Sequence, residues 1–234
     1  MKRIGIIGGI GPASTLDYYN GIINGYKAKT NDNNYPEIII NSVNMTKMLS
    51  YVVNKDWDSL AVMLTNAINN LANAGADFAV IASNTPHIVF DKVQQQSSLP
   101  LISIVDETCK YARSKKCQKV VVIGTLFTMS SGLYSRAFEK YNIFAAVPSK
   151  SQQKSIHNLF FPNLENGIVL PEDKHKMLEI VSNLITEHNA DALILGCTEL
   201  PLMIKDNDVD TLILNTTQIH IDSIVDFITN EENI

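Results

Sequence analysis

Eight short runs of Val, Ile, Leu and Ala recur along the 234-residue chain, at 3–8, 37–41, 78–82, 101–105, 119–124, 143–147, 192–196 and 211–214. Most are separated by segments of helical period. Near-continuous apolar runs of this length suit strands covered on both faces by helices, and strand–helix alternation predicts a mostly parallel α/β sheet. Between the second and third runs, Leu60, Met63, Leu64, Ala67, Ile68 and Leu71 recur at three and four residues, the stripe of an amphipathic helix. Gly75 follows where a left-handed stop is wanted. Leu178, Val181, Leu184, Ile185 and His188 repeat that pattern, with Asn189 in the stop position.

The two stretches are related. Gly75-Ala76-Asp77-Phe78-Ala79-Val80-Ile81-Ala82-Ser83 overlays Asn189-Ala190-Asp191-Ala192-Leu193-Ile194-Leu195-Gly196-Cys197 at an offset of 114 residues, and Ile7-Gly8 overlays Ile123-Gly124 at 116. Buried strands resemble one another by composition alone, but three of four strand pairs matching in order argue for one α/β unit used twice. The expected architecture is two pseudo-twofold-related lobes, each a mostly parallel four-stranded sheet flanked by helices. Residues 1–103 with 214–234 would form one lobe and 104–213 the other, with a cleft between them. Ligands of open parallel sheets bind beyond the carboxyl ends of the strands. Ser83 and Cys197 each follow such an end.

Hydrophobic residues make up 45% and charged residues 18%, which excludes a disordered or low-complexity chain. The net charge of −5, with no basic block beyond Lys115-Lys116, argues against nucleic acid. Three cysteines are too few for a disulfide framework and point to a reducing compartment. The apolar start at Ile4–Ile10 is broken by glycines and Pro12, unlike a signal peptide, and no run approaches the ~18 apolar residues of a membrane span. A soluble cytoplasmic protein is expected. The five histidines lack paired spacing and no CxxC or HExxH occurs, so no metal is expected.

Four blocks carry polar chemistry at strand ends. Gly8-Gly9-Ile10-Gly11-Pro12-Ala13-Ser14 is a glycine turn. As a dinucleotide fingerprint it fails, because Ser14 stands where a third glycine or alanine is needed and Pro12 lacks an N–H. Ser14 with Asp17 resembles a helix cap. A backbone approach to a small carboxylate fits the turn. Ser83-Asn84-Thr85-Pro86-His87 offers two hydroxyls and an amide, with His87 placed to hold the turn. Thr125 and Thr128 add hydroxyls after the fifth run; such residues are commonly caps. Cys197 lies in Gly196-Cys197-Thr198-Glu199. Free cysteines are mostly small buried hydrophobes. One at a helix N-terminus is instead acidified and becomes a usable base. Cys109, inside a helical stretch, and Cys117, on an expected surface loop among lysines, lack that setting.

At these blocks, and at Asn215-Thr216-Thr217-Gln218-Ile219-His220, the whole chain resembles the cofactor-independent aspartate/glutamate racemase superfamily. The resemblance implies two Rossmann-like lobes with swapped C-terminal elements, a homodimer, an amino-acid substrate, and no cofactor, neither pyridoxal phosphate nor metal. It implies two-base chemistry, in which one cysteine takes the α-proton and another returns a proton to the opposite face. Those positions are Ser83 and Cys197 here. Ile10, Asn84, Thr85, Thr125, Thr128 and Thr198 match substrate-binding positions.

Two departures qualify the resemblance. Ser83 replaces the first cysteine, so Cys197 is expected to act as the base and Ser83 as the proton donor, with a preference for L-enantiomers. Many aspartate racemases carry an arginine near Met48 and a lysine near Glu165 for the distal carboxylate, and neither is present, although Lys47 is adjacent. The expected activity is racemisation of Asp or Glu. One-cysteine decarboxylation of a malonate-like acid and a catalytically silent amino-acid binder are the alternatives.

Overall fold

The computed structural model describes residues 1–30 and 33–230, the side chain of Glu165 excepted. In chain order the elements are β1 (Ile4–Gly8), α1 (Pro12–Thr30), β2 (Ile38–Ser42), α2 (Met45–Val53), α3 (Trp57–Asn73), β3 (Phe78–Ile81), α4 (Phe90–Gln96), β4 (Leu101–Ile102), α5 (Ile104–Ser114), β5 (Lys119–Gly124), α6 (Leu126–Ser130), α7 (Leu133–Glu139), β6 (Phe144–Ala146), α8 (Lys150–Asn158), α9 (Pro171–His188), β7 (Ala192–Gly196), α10 (Leu200–Met203), β8 (Leu212–Asn215) and α11 (Thr216–Thr229). Short 3-10 turns occur at Thr85–Val89, Leu164–Asn166 and Asp206–Asp208.

The strands form two four-stranded sheets, ordered β2-β1-β3-β4 and β6-β5-β7-β8, and every strand pair is parallel. The second sheet thus repeats the strand order of the first. By internal contacts the chain divides into two compact units. One holds Met1–Glu107 and the chain from Thr217 onward, and the other Thr108–Thr216.

In the first unit β1 and β3 are buried along their whole length, as continuous apolar strands demand. Tyr18, Ile22 and Tyr26 of α1 and Ile221, Ile224, Val225 and Ile228 of α11 share one core with Ile4, Ile6, Phe78 and Val80. Leu60, Leu64, Ile68 and Leu71 of α3 are also buried, and Leu71 approaches Gly5 of β1. In the second unit, Met177, Val181 and Leu184 of α9 pack with Val121, Ile123, Leu193 and Leu195. Both sequence-predicted stops hold: Gly75 has φ +94° and Asn189 φ 46°.

Three local expectations are corrected. The fourth apolar run becomes a strand for two residues only, because the Ser103 hydroxyl accepts from the Asp106 N–H at 3.2 Å and starts α5. Ile104 and Val105 are buried in that helix instead. Cys117 is buried, since its N–H closes the end of α5 on the Ala112 carbonyl and draws the residue inward. Ser14 is no cap: it lies within α1, 1% exposed, and its hydroxyl donates to the Ala82 carbonyl at 2.8 Å.

The turn from β1 into α1 depends on Gly9. Its φ is +79°, and a Cβ there would lie 2.5 Å from both the Val43 carbonyl and the Ser42 hydroxyl. Its N–H donates to Thr15 Oγ1 at 2.9 Å. Gly9→Ala is expected to destabilise the protein by about 2 kcal/mol or more, from left-handed strain plus the backbone clash, read as a lower urea midpoint at unchanged slope.

Candidate active site

Parallel strands that end together present their last carbonyls at one edge of the sheet, and each buried carbonyl needs a donor. In the first unit those donors hold Ser83 in place. Ser14 donates to Ala82, the residue before it. His87, in the 3-10 turn beyond, lies 2.9 Å through Nδ1 from the Ser83 carbonyl, and its Nε2 accepts the Ile104 N–H at 3.3 Å. A carbonyl only accepts, so Nδ1 carries the proton and the ring is neutral. The expected role of His87, holding the turn, is what the hydrogen bonds describe. Ser83 is half-buried, Asn84 is buried and Thr85 half-buried at the start of the turn. Ile10 sits between Gly9 and Gly11 with its side chain 7% exposed.

A second buried histidine completes this edge. His220 of α11 donates through Nε2 to the Ile102 carbonyl at 3.0 Å, and its Nδ1 accepts the Tyr18 hydroxyl at 2.7 Å. Burial lowers His87 to about 4. Burial, then the neighbouring His87, lowers His220 to about 3.

In the second unit Thr125 caps α6, accepting from the Thr128 N–H at 3.3 Å, and the two hydroxyl oxygens lie 3.1 Å apart. Thr128 is buried, and its methyl would lie 2.9 Å from a Cβ on Gly196, so it packs over the end of β7. The Thr216 hydroxyl meets the Leu195 carbonyl there at 2.9 Å. Cys197 and Thr198 follow, both half-buried.

The expected acidification of Cys197 is overturned. Burial, then the charge and hydrogen bonding of Glu199, push its thiol well above the usual range. The N–H groups of Thr198 and Glu199 work the other way and lose. The helix that follows, α10, has four residues, too few to present the N-terminal field of a long helix. Cys197 Sγ instead donates to Glu199 Oε2 at 2.7 Å. Glu199 gains its place from the structure; the signal available in the sequence is an acid two residues beyond a cysteine at a strand end.

At the positions considered for a distal carboxylate, Met48 is buried in the face of α2 that packs inward, and Lys47 is exposed. The Glu165 side chain lies outside the described residues.

Two units with one strand order, with a hydroxyl two residues beyond β3 in one and a thiol directly after β7 in the other, define an α/β protein of doubled design. The Asp/Glu/Hydantoin racemase family profile matches residues 7–224, and the chain belongs to that family. It is 27% identical over 201 residues to the broad specificity amino-acid racemase RacX of Bacillus subtilis, covering 84% of this chain and 85% of RacX. It is 26% identical over 202 residues to a glutamate racemase of Aquifex aeolicus, covering 84% and 76% of the two chains. The crystal structure of an aspartate racemase homologue from Pyrococcus horikoshii OT3 superposes with a TM-score of 0.88 at 32% identity, covering 98% of this chain and all of that one.

The two histidines set an acid limit. Unfolded, each takes a proton near pH 6.5; folded, His87 does so only near 4 and His220 near 3. The unfolded chain therefore binds more protons in this window, and acid favours it. Stability should be level above about pH 6.5 and fall by a few kcal/mol between there and about pH 4. Urea unfolding at pH 7.5, 5.5 and 4.5 measures it.

Proposed function

We propose that the protein is an amino-acid racemase that acts on aspartate or glutamate, with the L-enantiomer preferred, and that Cys197 and Ser83 exchange the protons. The observation that carries this reading is the occupancy of equivalent strand ends: a thiol directly after β7 and a hydroxyl after β3, in a chain of the racemase family. The relatives support an amino-acid substrate, since one is named a broad specificity amino-acid racemase and another a glutamate racemase.

The reading requires one bound amino acid to meet both side chains. Cys197, as thiolate, takes the α-proton, and the hydroxyl of Ser83, directly or through a water, supplies a proton to the opposite face. A hydroxyl is a far weaker acid than a thiol, so the two directions are unequal and Cys197 is the base of the favoured one. Asn84, Thr85, Thr125, Thr128 and Thr198 are the proposed donors to the α-carboxylate, together with backbone N–H groups near Ile10. Their contribution is to stabilise the extra charge that develops when the α-carbon loses its proton. The Thr125 and Thr128 hydroxyls lie 3.1 Å apart, so one of them donates to the other and the remaining hydroxyl proton is the one available to the carboxylate. Lys47 is exposed and Met48 buried, and neither offers the fixed positive charge that would make an acidic side chain obligatory. A tolerance of other amino acids follows from that.

Exchange of the α-proton with deuterated solvent, followed for both enantiomers of Asp, Glu and neutral amino acids, tests the reading. Exchange should be faster from the L side. Cys197→Ala should lower it by about 10²–10⁴, the usual worth of a positioned acid–base group, and persistence of the wild-type rate in that variant removes Cys197 from the mechanism. Ser83→Cys should raise racemisation and bring the two directions closer together; a variant slower in both would argue against Ser83 as donor.

A further inference from the structure

Tyr134 of α7 has no part in the chemistry proposed above, yet it is wholly buried, and its hydroxyl is hydrogen-bonded to the side chains of Thr108 and Thr216, which are wholly buried as well. Thr108 is the first residue of the second unit and Thr216 the last. Counting protons gives this cluster a direction. The Thr216 hydroxyl donates to the Leu195 carbonyl at 2.9 Å, and a carbonyl only accepts. With that proton spent, Thr216 accepts from Tyr134, and Tyr134 in turn accepts from Thr108. The three hydroxyls form one chain, Thr108 to Tyr134 to Thr216, that ends on the carbonyl two residues before Cys197. Burial pushes the phenol far up, so it keeps its proton and the chain keeps its direction.

The ring acts at the same place. A Cβ on Gly196 would lie 3.6 Å from Tyr134 Cε2, so the phenol packs over the last residue of β7, and Cys197 follows directly. The first unit contains a counterpart. Tyr18 stands 116 residues earlier, at the offset that relates β1 to β5, and it too is wholly buried. It donates to His220, the fifth residue of α11, and His220 donates onward to the Ile102 carbonyl. Thr108 is the fifth residue of α5. Both copies of the unit thus carry a sealed tyrosine, met by the helix that follows a fourth strand, in a directed chain that ends on a strand carbonyl. The destinations differ: β4 in the first unit, and in the second β7, the strand that bears the thiol.

We propose that Tyr134 is a positioning residue for Cys197, holding the sulfur at its working place through Thr216 and the backbone of Leu195 and Gly196. The proposal rests on the racemase reading of the site. A sulfur that takes a proton from carbon has to meet it at close range, and a misplacement of about 1 Å can cost about 100-fold in rate. Hydroxyls in series polarise one another, so removing one weakens the bonds on either side of it. Tyr134 transfers no proton in this role. It determines where the end of β7 lies, and the thiol is carried with it.

Tyr134→Phe removes the hydroxyl and keeps the ring, and Tyr18→Phe does the same in the first unit, so the two variants are matched in kind. Two quantities are measured: the rate of Cys197 alkylation by iodoacetamide at one fixed pH, followed on its own peptide by mass spectrometry, and kcat and KM for racemisation. Tyr134→Phe should change the alkylation rate about threefold or more and lower kcat about 10-fold, with KM within about twofold of wild type. Tyr18→Phe should leave the alkylation rate unmoved. Thr216→Val breaks the same chain, so combining it with Tyr134→Phe should lower kcat no further than the worse single variant, whereas independent packing roles would multiply. Thr216→Ser, which keeps a hydroxyl, should recover most of the kcat lost in Thr216→Val. That pair of variants carries the test where Tyr134→Phe fails to show a wild-type circular dichroism spectrum. An unmoved alkylation rate or an unmoved kcat in Tyr134→Phe overturns the proposal, as does an equal change of alkylation in Tyr18→Phe. If the wild type exchanges no α-proton, the racemase reading falls, and the alkylation comparison then decides by itself whether Tyr134 places the sulfur.

Discussion

The carbonyl groups at the carboxyl edge of each parallel sheet set the rest of the structure. Such carbonyls cannot be left dry and unpaired without a cost of about 1–3 kcal/mol each. Here a helix or turn side chain meets each of four of them: Ser14 at Ala82, His87 at Ser83, His220 at Ile102 and Thr216 at Leu195. These bonds fix where the chain goes after each strand, and so fix the backbone that carries Ser83 and Cys197. Neutral histidines suit this work because each ring donates with one nitrogen and accepts with the other, joining two segments at once. The same neutrality requires that they stay unprotonated, which ties the architecture of the edge to pH.

Much of the fold was legible because buried parallel strands leave a strong mark in composition. The runs at 119–124 and 192–196 are strands to the residue, and the stops at Gly75 and Asn189 are both left-handed. What was not legible came from contacts distant in sequence. Ser14 reads locally as a cap, and only the neighbouring strand end at Ala82 turns it into a tie across 68 residues. Cys117 reads as surface from its lysine neighbours, yet the closing bond to Ala112 buries it. For Cys197, position after a strand suggested an acidic thiol. The balance is decided by burial and then by one adjacent carboxylate, and neither magnitude is visible in a pattern of letters.

The thiol at the end of β7 is therefore tied to a carboxylate, with Cys197 Sγ donating to Glu199 Oε2 at 2.7 Å. A cysteine alone at this place would be either permanently protonated or, near cations, permanently reactive toward any electrophile. Pairing it with an acid holds the thiol in its protonated form. In the first unit Ser83 has no comparable need, since an alcohol at neutral pH is already unreactive. Inequality of the two strand ends then extends past the element at each tip to the surroundings each requires.

Helix α11 follows β8 in sequence, yet its Ile221, Ile224, Val225 and Ile228 are part of the core built on β1 and β3. A chain emerging from the ribosome thus presents its earliest strands long before the helix that covers them. The first unit must wait, with that apolar face uncovered, until α11 has been made, whereas Thr108–Thr216 has every piece it needs sooner. The order of birth and the order of completion are reversed, and holding the nascent amino-terminal segment in a soluble state is a task that this topology hands to the cell.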